Sequence, residues 1–95
     1  MKLPKDAAER KAIPLYSGLI KYFPDALIAV AKISHEGNEQ HNPGSPIHWD
    51  RSKSQDELDA LMRHIIDEDW DAVAWRALAN CQKQKEKENA KAKQG

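Results

Sequence analysis

The sequence predicts an all-α protein, a small bundle of three to four helices whose core is completed by oligomerisation. Three observations carry that expectation. Apolar residues recur at three-and-four spacing in residues 27–31, again in 58–66 and again in 73–81. A helix start signal stands before each of these stretches: Pro24-Asp25, the capping-box pattern Ser54-Gln55-Asp56-Glu57, and Asp69. The chain has 95 residues, close to the size at which a lone domain buries barely enough surface to fold. A chain this short gains most from a second copy.

Taken in order, residues 1–13 read as an N-terminal arm with a short helix over 6–12, which Pro14 would end. Pro14-Leu15-Tyr16-Ser17-Gly18 reads as an extended or turning link, with Leu15, Leu19 and Ile20 covering part of the core. The first long helix begins near Pro24, which suits the first helical position, and Asp25 favours the positive end of the helix dipole. Leu27, Ile28, Val30 and Ala31 form its apolar stripe. It should continue through Lys32, His35, Glu36 and Glu39, which share a face. Gly37 interrupts it at a cost of about 1 kcal/mol relative to Ala, and so suggests close approach of another backbone or a ligand. Residues 41–51 are too rich in Pro and Gly for regular structure, yet they carry His41, His48, Trp49 and Arg51.

The second long helix should open on Ser54 and Glu57 as a capping box, with Ser52 and Gln55 as a second register. Leu58, Leu61, Met62, Ile65 and Ile66 are its expected buried face. Asp69 should cap a third helix with Val73, Ala74, Ala77, Leu78 and Cys81 buried. Trp75 and Arg76 fit either a partner interface or a site. Residues 1–82 are thus expected to form one helical domain. From residue 83 the chain has no apolar side chain larger than Ala, and 83–95 reads as a charged, frayed or disordered tail.

Composition excludes some function classes. Lys plus Arg equals Asp plus Glu, 15 each, which argues against a nucleic-acid binder driven by bulk charge. Cys81 is the single cysteine, so there is no internal disulfide framework and a reducing cytoplasm fits. No apolar run approaches the roughly 18 residues of a membrane span. The N-terminal residues lack the apolar stretch of a signal peptide. A cytoplasmic protein without membrane association is the expectation.

The chemistry-bearing residues fall in two clusters. His35, Glu36 and Glu39 lie on one helix, and His64, Asp67, Glu68, Asp69 and Asp71 lie in and after the next. Glu36-x-x-Glu39 places two carboxylates one turn apart, and His64-x-x-Asp67 repeats the spacing. Two facing helices with such pairs could hold Mg²⁺, which prefers carboxylate oxygens and bridges them to substrate phosphates. The opposing reading is a solvated acidic surface, since acidic pairs at this spacing are common. Trp49 reads either as a platform for a base or as a hydrophobic plug over the helix ends, and Arg51 beside it can grip a phosphate.

The pattern V-A-K-I-S-H-E-G-N-E-Q-H-N, then H-W, L-D-A-L-M-R-H-I-I-D and A-W-R-A-L-A resembles small phage proteins described as dATP/dGTP diphosphohydrolase-like. These in turn are similar to the all-α MazG and dUTPase nucleotide pyrophosphohydrolases. The resemblance covers about residues 13–82. It implies that Glu36, Glu39 and Asp67 are Mg²⁺ (or Mn²⁺) ligands and that His64 is a fourth catalytic position. It further implies that Lys32 and Arg63 contact phosphate. The residues themselves add His35, Trp49 and Arg51 to the nucleotide-binding set. His64 stands where that pattern carries Glu, which removes one anionic ligand. The connection before the last helix is short, with Asp71 where a His would stand.

Two functions are expected on these grounds. One is a metal-dependent enzyme cleaving a nucleoside triphosphate to the monophosphate and pyrophosphate. The other is a catalytically degenerate nucleotide-binding sponge that sequesters a host defence signal in the host-cell cytoplasm. A helical interaction module without a small ligand is the third and plainest class. A homo-oligomer is expected with each.

Overall fold

In the computed structural model, which describes residues 2–52 and 55–94, the chain is all-helical, with no strand among those residues. Helix α1 spans Ala7–Lys11, with the Asp6 carboxylate accepting from the Glu9 N–H as its N-cap. Pro14 ends this arm, but the next segment is tighter than an extended link. Residues Tyr16–Ile20 form a π turn, closed by bonds from the Ile20 N–H to the Leu15 carbonyl (3.2 Å) and from the Lys21 N–H to the Tyr16 carbonyl (2.9 Å). Gly18 belongs there because a Cβ would lie 3.0 Å from Pro14 Cγ.

Helix α2 spans Pro24–His41, with Pro24 in the first turn and Asp25 at the dipole's positive end. Residues 42–52 have no regular structure, and Gly44 supplies a left-handed turn at φ 79°. Helix α3 spans Glu57–Ile66 with Asp56 at its N-cap position and no side-chain cap bond. Ser54, the expected cap, lies outside the described residues.

The connection to the last helix is minimal. The Asp69 N–H bonds the His64 carbonyl and the Glu68 N–H bonds the Ile65 carbonyl, each at 3.0 Å. This is the paired closure of a Schellman end, with Glu68 in the left-handed position at φ 55°. Asp69 then caps the next helix, its Oδ1 accepting from the Ala72 N–H. Helix α4 runs over Trp70–Gln94, about three turns beyond residue 82, where the composition suggested a tail. Strong helix formers and pairs such as Lys85–Glu88 and Gln82–Glu86 carry it onward.

Helix α4 is the centre of the fold, and both α2 and α3 pack against it. Its buried Ala72 and Ala79, with Ala60 of α3, let the helices approach closely. The packed faces differ from those expected. On α3 the side chains toward α4 include Glu57, Ala60, Leu61 and His64, while Leu58, Met62, Ile65 and Ile66 are exposed. On α4 the inner face runs through Ala72, Val73, Ala79 and Lys83, while Ala77, Leu78 and Cys81 are exposed. In this rotation Glu57 pairs with Lys83 and Ala60 lies at the close approach to α4, and the apolar stripe faces away from its own chain.

Candidate functional site

The principal concavity is an open cleft of about 1050 Å³ bounded by the C-terminal half of α2, the 42–52 loop, α3 and α4. Asn38 builds one wall. It is the one buried polar side chain among the described residues. Its Nδ2 donates to the Ser45 carbonyl at 3.0 Å and its Oδ1 accepts from the His48 N–H at 3.1 Å. The end of the loop's first turn and a point three residues further on are thereby tied to α2. A buried polar group is tolerable only when so satisfied, and these two bonds fix the loop's course across the cleft.

The loop then delivers Trp49 to the cleft, half-buried and edge-to-face with Trp75 of α4, ring centroids 5.8 Å apart. Trp75 is held in turn by its Nε1–H, which donates to Ser34 Oγ at 2.8 Å. Arg51 lies over the Trp49 ring, its guanidinium carbon 4.1 Å from the centroid. The same guanidinium grips Glu86 of α4 with two arms, Nε to Oε1 and Nη2 to Oε2, each 2.9 Å. That pairing, with a lesser bond from Gln82, holds the Glu86 carboxyl below the usual carboxylate range. The loop is thus latched at Asn38, Trp49 and Arg51.

The cleft lining is acidic on balance. Glu36, Asp50, Asp56, Glu57 and Asp69 face two permanent cations, Arg76 and Lys83. Glu57 pairs with Lys83, whose hydrogen bond lowers the Glu57 pKa. Asp56 pairs with Arg63 at 2.8 Å, which raises the pKa of that guanidinium. His64 Nδ1 stands 3.9 Å from Asp69 Oδ2. His41 and His48 also line the space.

The residues singled out from sequence are thus only partly brought together. Glu36, Trp49 and His64 share the cleft. Lys32 and His35 do not line it. They sit with Ile28, Ala31 and Glu36 around a shallow apolar depression on α2's outer side. Glu39, Arg63 and Asp67 line neither concavity, and Arg51 reaches the cleft only through Trp49. Among the described residues no three His, Cys, Asp or Glu side chains gather to hold one metal ion. Gly37 lines the cleft, but nothing of the chain lies within 4 Å of where its Cβ would stand, so its lack of a side chain serves no internal packing.

Sequence reasoning missed Asn38, Glu86 and Lys83, and read Glu57 only as a capping residue rather than as the partner of Lys83. Asn38 reads as one more polar residue on a helix that is becoming polar, and its burial depends on a loop that folds back over it. The other three are ordinary charged residues until α4 runs beside the loop and α3.

Comparison with known proteins finds no matching family model, no matching curated protein and no matching solved structure. No helix among the described residues is long and apolar enough to cross a membrane.

Proposed function

We propose that this protein binds a nucleotide in the cleft between α2 and α4 and retains it without turnover. The observation that carries the reading is the pair Trp49–Trp75 on the cleft wall with Arg51 stacked on Trp49. An indole held from behind by packing and a guanidinium on its face is a site where a base can take the cation's place, gaining roughly 1–3 kcal/mol by stacking. Arg51 would then have to exchange Glu86 for a phosphate, which its guanidinium can grip with two hydrogen bonds. The acidic balance of the lining opposes a bare polyanion. The ligand is therefore read as a nucleotide accompanied by Mg²⁺ or Mn²⁺, whose charge the lining carboxylates suit. The scatter of Glu36, Glu39 and Asp67 favours sequestration over hydrolysis, in keeping with the sponge of a signalling nucleotide. The second reading, a pyrophosphohydrolase releasing pyrophosphate from a (d)NTP, draws on Glu36 and His64 sharing the cleft. The protein is further read as a homo-oligomer acting in the cytoplasm of a phage-infected host cell.

Thermal shift with nucleoside mono-, tri- and cyclic phosphates, with and without Mg²⁺, tests binding, since a ligand of the native state raises its stability. A metal-dependent shift is expected, and Trp49→Ala should weaken binding about 5- to 150-fold, the range set by the stacking energy. No shift with any nucleotide overturns the reading. Pyrophosphate release in the same mixtures would replace sequestration by hydrolysis.

A further inference from the structure

The chain exposes more surface than its mass calls for. Its accessible area is 7837 Å², whereas a compact monomer of 10.8 kDa exposes roughly 5,500 Å² by the area–mass scaling of folded proteins. Its radius of gyration, 15.7 Å, exceeds the roughly 12 Å of a compact chain of this length. The polar end of α4 accounts for some of the surplus. Large apolar side chains account for much of the rest, and they fall into two main groups.

The first is the outward face of α3. Leu58 is 70% exposed, Met62 51% and Ile66 80%, a continuous stripe over the helix. The second surrounds the π turn, where Leu15, Tyr16, Leu19, Ile20 and Phe23 are all exposed. That segment packs extensively on no other helix of its chain. A five-residue helix followed by one π turn has little intrinsic stability and needs tertiary packing to persist. Monomeric proteins rarely leave contiguous apolar patches beyond a few hundred Å².

The surplus area is of the size that a second copy would cover. The surplus is about 2,300 Å² per chain, taken as 7837 Å² less the scaling value; even half of it, with the polar end of α4 set aside, reaches the roughly 1,000–2,500 Å² that each subunit hides in an obligate homodimer. The net charge of zero sets no general repulsion between copies. A lipid surface suits the α3 face poorly, because Asp59 and Asp67 flank the stripe with only Arg63 to offset them. We propose that a second copy of this chain covers the outward face of α3 and the residue 15–23 segment. This rests on the reading of the protein as a homo-oligomer and names its surfaces.

Light scattering and sedimentation equilibrium of the wild type at micromolar concentration, beside Ile66→Glu, Leu58→Glu and Leu19→Glu, test it. The wild type should sediment as a dimer or larger, and each variant should weaken association at least tenfold. Ile66 and Leu58 touch little of their own chain, so circular dichroism of those two variants should retain the helices or lose them only together with the assembly. A wild type that stays monomeric overturns both the homo-oligomer and its surfaces. A wild type that assembles while all three variants assemble equally well overturns the surfaces alone.

Discussion

Asn38 shows how one residue sets the shape of the cleft. Its side chain answers a carbonyl at Ser45 and an N–H at His48, so removing it strands two partly buried backbone groups. Asn38→Ala should cost about 1–3 kcal/mol, the penalty for unpaired buried polar groups, read as a lowered urea midpoint. Asn38→Asp keeps the acceptor for His48 but sets a carboxylate oxygen against the Ser45 carbonyl at a buried position, and should be at least as destabilising as Asn38→Ala near neutral pH. A variant as stable as the wild type would mean that water serves the loop equally well. None of this is visible in the one-dimensional pattern. The periodicity that places 38 on a helix holds for any polar residue, and only the returning loop makes Asn the residue that fits.

At the scale of elements, the 42–52 loop and α4 are joined by charge. Arg51 holds Glu86 and Lys83 holds Glu57, and both carboxyls are lowered in pKa by those hydrogen bonds. A carboxyl lowered in the folded state stabilises that state at pH above the unfolded value, about 4.3, and the contribution is lost as pH falls through the lowered folded value. Acidification through that lowered value should therefore release the Arg51 latch and uncover the face of Trp49. Tryptophan fluorescence in a Trp70→Phe background should report an acid step that Glu86→Gln diminishes. An identical step in both proteins would assign the transition to Glu57 and Lys83 instead. Helix limits were largely legible at this scale: the Pro24 start, the Asp69 cap and the Pro-Gly break after His41 are all local chemistry. The π turn was not, since it depends on Gly18 approaching Pro14, and neither was the continuation of α4 past residue 82.

For the whole molecule, the exposed apolar surface makes stability a function of concentration. If folding and assembly are one process, each tenfold rise in protein concentration should raise Tm by about 3–5 °C, from the mass-action term shared between two chains and the usual entropy of unfolding for this size. Calorimetry over a hundredfold concentration range reads this directly, and a Tm that does not move would describe a self-sufficient monomer.

By itself the sequence determined that the chain is helical, that long helices start at Pro24 and after Asp69, and that a loop with two Pro, Trp49 and Arg51 follows the first of them, because caps, prolines and periodicity act within a few residues. Which face of each helix is covered was decided by tertiary structure alone. The stripe of Leu58, Met62, Ile65 and Ile66 has the spacing of a core, yet α3 meets α4 through Glu57, paired with Lys83, and through Ala60, and the stripe faces outward. The same is true of the site. Spacing puts Glu36 beside Glu39 and His64 beside Asp67, but a cleft admits only the side chains on one side of each helix. It therefore takes Glu36 and His64, leaves Glu39 and Asp67 outside, takes Trp75 as a site residue, and adds Asn38 and Lys83.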